Sequence, residues 1–122
     1  MSEKTLWETL ADALIDKGID VYPPAYKLGE CKKMYVVIKD DGSNKIGNLS
    51  SQKRYYTFLI YTPRDEYTNV ERNKSIIKDI ISEALYPLLM PTGLETPDFY
   101  DDTYKAHMVS IQYSCNIRNK HI

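Results

Sequence analysis

The run Tyr55-Tyr56-Thr57-Phe58-Leu59-Ile60-Tyr61 constrains the fold more than any other part of the chain. It is rich in aromatic and β-branched residues and carries neither a charge nor a helix breaker, so it suits a pleated, half-buried strand. Strand alternation puts Tyr55, Thr57, Leu59 and Tyr61 on one face and Tyr56, Phe58 and Ile60 on the other. The second set is the more apolar and is expected to face the helices. The first is left for the opposite face, where a domain this small has little of its own to cover it.

Two further stretches read as strands that pair with this central one. Cys31 to Lys39, centred on Met34-Tyr35-Val36-Val37-Ile38, has the stiff side chains that favour a sheet. From His107 to Ile117, the residues His107, Val109, Ile111, Tyr113, Cys115 and Ile117 alternate with Met108, Ser110, Gln112, Ser114 and Asn116, a period of two that makes the sheet two-faced. Asp40-Asp41-Gly42-Ser43 has turn chemistry. The polar segment from Asn44 to Arg54 admits a long hairpin extension or a loop.

Two helices frame the strands. Thr5-Leu6-Trp7-Glu8 fits a capping box, Leu6, Leu10, Ala13 and Leu14 form an apolar stripe, and Gly18 suits the left-handed residue that closes a helix, so the spacing predicts a helix over Thr5 to Lys17. Ile76, Ile77, Ile80, Ile81, Ala84 and Leu85 recur at three-and-four spacing behind a second capping box, Thr68-Asn69-Val70-Glu71, and Pro87 stops that helix. Val21 to Tyr26, with two consecutive prolines, is an extended connector, and Leu88 to Pro97, with two prolines and Gly93, reads as a loop. The expected architecture is therefore a small single α+β domain over residues 1–122. It has a mainly antiparallel or mixed sheet of about three to five strands and two helices in the order α-β-β-α-β.

Length and charge narrow the function. A chain of 122 residues is long enough for one core without a disulfide or metal staple. Its 16 basic and 17 acidic residues nearly balance, which argues against nucleic-acid binding through a broadly basic face and leaves room only for a local patch. The N-terminal residues lack the basic start and apolar core of a signal peptide, and no apolar run reaches membrane-spanning length, so the chain is expected to stay in a cytoplasm and off the membrane.

The sequence offers little catalytic material. Glu95, Asp98, Asp101 and Asp102 with nearby His107 could hold a divalent metal, but aspartates ahead of a strand are also ordinary turn residues. Cys31 and Cys115 are in no CxxC pattern and have no basic neighbour to activate them, as expected for free structural thiols. There is no phosphate-cradling glycine loop, nucleophile elbow or zinc-binding helix motif. No catalytic, metal or cofactor-binding residue is assigned. The 11 tyrosines are the unusual feature, and tyrosine serves both strands and interfaces.

The order of elements carries a resemblance. A short helix leads to Val21-Tyr22-Pro23, then to a strand Tyr35-Val36-Val37-Ile38 with a polar turn, then to a long loop and Tyr56-Thr57-Phe58-Leu59-Ile60-Tyr61. An Ile-rich helix follows, then Tyr100-Asp101-Asp102-Thr103-Tyr104, then Met108-Val109-Ser110-Ile111-Gln112-Tyr113. Over about residues 5 to 117 this resembles the small tail-completion and tail-terminator proteins of long-tailed bacteriophages and prophages, including those that join tail to head.

The resemblance implies a non-enzymatic protein without cofactor. Such a protein assembles with itself as a ring, typically a hexamer, on the tail tube protein, stops tube growth and meets the head–tail connector protein. It would be found in the virion tail, and in the host cytoplasm during assembly, with no sequence-specific nucleic-acid target. Its contacts with partners and neighbouring copies would come from Lys39, Asp40, Asp41, Lys45, Lys53 and Arg54, and from Tyr55, Thr57, Leu59 and Tyr61. A head–tail connector or neck protein is the alternative from the same setting, and a small metal- or thiol-dependent enzyme is a third reading.

Overall fold

The computed structural model describes residues 4–45 and 51–118, with side chains described for 4–43 and 52–116. Helix α1 (Leu6–Ile15) opens the chain and carries the expected capping box: Glu8 N donates to Thr5 Oγ1 and Thr5 N to Glu8 Oε1. Its end is closed by Gly18 at φ 84°, with Gly18 N bonded to Ile15 O and Ile19 N to Leu14 O. Strand β1 (Asp20–Tyr22) follows. A strap of residues 23–34 then leads to the paired strands β2 (Tyr35–Lys45) and β3 (Ser51–Pro63). A 3-10 turn (Arg64–Asn69) feeds α2 (Val70–Leu85), and β4 (Met90–Glu95), β5 (Phe99–Asp101) and β6 (Ala106–Arg118) complete the domain.

The fold is α+β. The six strands form one mixed sheet in the order β1-β2-β3-β6-β4, with β5 also paired to β6. Only β1–β2 is parallel; the other pairs are antiparallel. The central strand is β3, paired with β2 from Gln52 to Tyr61 on one side and with β6 along its whole length on the other.

Both helices lie on one face, here called inner. Leu10, Ala11 and Leu14 of α1 and Ile77, Ile80, Ile81 and Leu85 of α2 meet Val36, Ile38, Tyr56, Phe58, Ile60, Val109 and Ile111 of the sheet. Tyr56, Phe58 and Ile60 therefore face the helices, as their alternation requires. Ile76 lies roughly 100° around the helix from Ile77 and is 39% exposed, and Ala84, in phase with the stripe, is exposed at the last turn. Trp7 Nε1 donates to Ile38 O at 2.7 Å, tying α1 to β2 just beyond the reach of β1.

Several local expectations give way. Asp40-Asp41-Gly42-Ser43 is not a turn, because β2 runs on to Lys45 and β3 begins at Ser51. The turn chemistry makes a β-bulge instead: the register shifts between Asp40 and Gly42, Gly42 sits at φ 99°, and its N–H donates to Asp40 Oδ1 at 2.8 Å. The hairpin extension is thus the observed form of 39–45 and 51–54, while 46–50 fall outside the described residues. The second capping box does not form. Asn69 stands at the helix start without a side-chain cap, and its Oδ1 accepts from Arg72. Part of 88–97, expected as a loop, is edge strand β4, where Pro91 is tolerated because one side of the strand has no partner.

Candidate functional site

Among the described residues no helix packs on the outer face of the sheet, and its two ends differ. Toward the start of β6 the face is closed by the strap. Cys31 N donates to Tyr104 O at 2.7 Å and Cys31 Sγ contacts Lys33 O, which draws the strap over Tyr35, Val37 and Ala106. Tyr35 stacks on Tyr61 at 4.9 Å between centroids, Tyr104 meets Tyr61 edge-on, and Tyr22 meets Tyr35 edge-on. Burial pushes the Tyr35, Tyr61 and Cys31 ionisations up, so these groups stay neutral at ordinary pH.

Toward the hairpin the outer face is open and polar. Asp41, at the bulge, accepts from Thr57 Oγ1, from Gln112 Nε2 at 3.2 Å and from Lys39 Nζ at 3.5 Å. Thr92 of β4 donates to Gln112 Oε1 at 3.0 Å and extends the network across four strands. Desolvation opposes the Asp41 charge, but the hydrogen bonds from Thr57 and Gln112 and the Lys39 cation outweigh it, and the carboxyl is held below its usual range. Beside this network is a hollow of about 510 Å³ lined by Lys53, Tyr55, Leu88, Met90, Thr92 and Asn116 among others.

The predicted contact residues therefore divide. Lys39, Asp41, Lys53, Tyr55 and Thr57 come together on the open outer face. Leu59 and Tyr61 share that face and, half-buried like Tyr55 and Thr57, differ in packing against the strap cluster. The cover comes from the strap and not from α1, which lies on the inner face. Asp40 and Arg54 have the register of the inner side, Asp40 opposite Tyr56 and Arg54 opposite Cys115, both core residues; Asp40 is nevertheless exposed, whereas Arg54 is half-buried with its Nε sealed from solvent. Lys45 ends β2, and its side chain is outside the described set. Gln112, Thr92 and Met90 were missed. The alternation of β6 marks Gln112 as outward, whereas nothing in a Pro- and Gly-bearing segment marks β4.

The acidic group proposed for a metal is dispersed. Glu95 pairs with Lys78 at 2.6 Å and Lys74 at 3.2 Å, and those contacts hold its carboxyl below the usual range. Asp101 accepts from Thr103 N, Asp102 pairs with Lys105, and Asp98 lies 3.4 Å from His107 Nδ1. Tyr67 and Tyr100 flank the His107 ring. Among the described residues no group of three or more His, Cys, Asp or Glu is placed to hold a metal ion. Cys31 and Cys115 are free and buried, far from the exposed, low-pKa setting of a reactive thiol.

No helix among the described residues is long and apolar enough to cross a membrane. No protein-family model matches the chain, and no curated protein matches it.

Proposed function

We propose that this chain is a non-enzymatic phage or prophage assembly protein. It closes with copies of itself into a ring, a hexamer, at the end of the tail tube. The ring stops tube growth and offers the surface to which the head connector joins. The observation that carries the reading is the uncovered hairpin half of the outer face, where an ordered network of Lys39, Asp41, Thr57, Gln112 and Thr92 is held ready beside Tyr55 and Met90. A subunit that meets neighbours and tube protein needs such a rigid, polar-rimmed surface. The resemblance in element order supports the same assignment.

Native mass measurement and negative-stain imaging, with and without purified tails, test it. Rings, free or capping tube ends, are the expected result. A strict monomer that also fails to bind tails overturns the reading, and binding to head connectors without binding to tails converts it to a neck protein.

A further inference from the structure

The strap, residues 23–34, joins the parallel neighbours β1 and β2, a connection ordinarily made by a helix. It has no helix or strand of its own. Nine of its twelve residues are exposed, Lys27 and Met34 are half-buried, and only Cys31 is buried. Among the described residues a single backbone hydrogen bond, Cys31 N donating to Tyr104 O, ties the strap to the rest of the fold. Its other contacts are peripheral. Tyr26 stacks on Tyr22 at 5.9 Å, Lys27 stands over the same ring, and Lys33 pairs with Asp20 at 3.5 Å through largely solvated side chains.

The surface beneath is of another kind. Tyr35, Val37 and Ala106 are buried there with Cys31, and Tyr22, Tyr61 and Tyr104 pack around them. One thiol and one hydrogen bond hold the strap to this tyrosine floor. A hollow of about 370 Å³, lined by Tyr22, Lys27, Leu28, Glu30, Lys33 and Tyr35 among others, leaves the remainder loosely packed. Slack is ample. Tyr22 and Tyr35 are fixed in the β1–β2 ladder roughly 8 Å apart, and a strap of this length reaches roughly 40 Å when extended. Lifting it breaks no strand pairing and releases Ala25 from φ 65°, where its Cβ is crowded.

We infer that the strap is a lid. With the sheet in place it swings off the outer face as a unit, its latch being Cys31 against Tyr104, and uncovers the tyrosine floor as a continuation of the open hairpin half. The motion is a local unfolding that gives up few buried contacts, so it needs far less free energy than unfolding the domain. It is a property of the single chain and does not depend on the ring reading.

The two cysteines provide the test in the wild-type chain. Cys31 and Cys115 are equally buried, at 2% and 1%, and burial pushes both thiol ionisations up. Cys115, however, belongs to the inner core and not to the strap. With a bulky maleimide in native buffer, and the sites mapped by mass spectrometry, Cys31 should be labelled roughly a hundredfold faster than Cys115. Low concentrations of urea should leave the Cys31 rate nearly flat, because little surface is exposed on opening, and should raise the Cys115 rate steeply.

Amide exchange gives a second readout. The Cys31 N–H should exchange through the same urea-insensitive opening, while the amides of Phe58 and Ile60 wait for unfolding of the sheet. In protein labelled at Cys31 the adduct blocks closure, so the strap amides should lose protection while β2, β3 and β6 keep theirs. A Cys31 that labels no faster than Cys115, a Cys31 rate that climbs with urea as steeply as exchange at Phe58, or an adduct that melts the whole sheet overturns the inference.

Discussion

Phe58 and Thr57 are consecutive in β3, yet they belong to two surfaces under different rules. On Phe58's side, Tyr56, Phe58 and Ile60 are sealed beneath α1 and α2. On Thr57's side, the same strand passes from a closed region to an open one. Leu59 and Tyr61 lie under the strap, while Thr57 and Tyr55 remain with Asp41, Gln112 and Lys53. The inner face is held mainly by apolar burial, a non-directional force. The open outer face is held by directed hydrogen bonds, which contribute little net stability but fix where side chains point. A strand can thus serve stability and recognition at once, because its period of two keeps the tasks on separate sides.

Substitutions on the two sides should differ in size and in kind. Ile80→Asp places an unpaired carboxylate between α2 and the sheet and should abolish the cooperative unfolding transition seen by circular dichroism; a retained transition would show that α2 is not a core helix. Phe58→Ala should cost about 3–5 kcal/mol in chemical denaturation. Tyr61→Ala, on the half-buried face, should cost about half of that, about 2 kcal/mol, and equal costs would erase the distinction between the faces. Asp41→Ala should cost about 1 kcal/mol while disturbing tail or neighbour binding far more.

The acid sensitivity of Asp41 sharpens the contrast. Its carboxyl is depressed in the folded protein, so its contribution is full above the usual carboxylate range and is lost as pH falls through the folded value. Asp41→Asn should flatten the stability–pH profile below about pH 4, and an unchanged profile would remove the network from the account. The smallest effect is expected at the strap. Ala25 sits at φ 65°, and Ala25→Gly should raise stability by about 0.5–1 kcal/mol, the relieved strain being partly offset by the freer unfolded chain.

Much of the inner face was legible in advance. The alternation of β3 and β6 and the isoleucine spacing of α2 each specify one buried side, and the two must meet because neither has another apolar surface to use. The Thr5–Glu8 cap and Gly18 were equally plain, since both depend on residues within one turn of each other. The candidate site was legible only in part. Tyr55 and Thr57 were placed by periodicity, whereas Lys39, Asp40 and Arg54 came from a segment read as turn and loop, which gave them no face. Once that segment is paired its side chains alternate, and Asp40 and Arg54 take the register of the inner side while Lys39 takes that of the outer.

The strap and β4 show why the rest was hidden. A proline-rich connector has no periodicity, so nothing local says that Cys31 will anchor on Tyr104, some seventy residues away in the chain. The short strand Met90–Glu95 exists because β6 offers it a hydrogen-bonding edge, not because Pro91 and Gly93 favour extension. Residue order alone determined the fold class, the central strand, the two helices and the face on which the core forms, for these follow from repeats of 3.6 and 2 along the chain. Which end of the outer face is closed and that Asp41 reaches Gln112 were decided by the tertiary structure. Those relations depend on distances between residues far apart in the chain, and such distances come into being only when the sheet assembles.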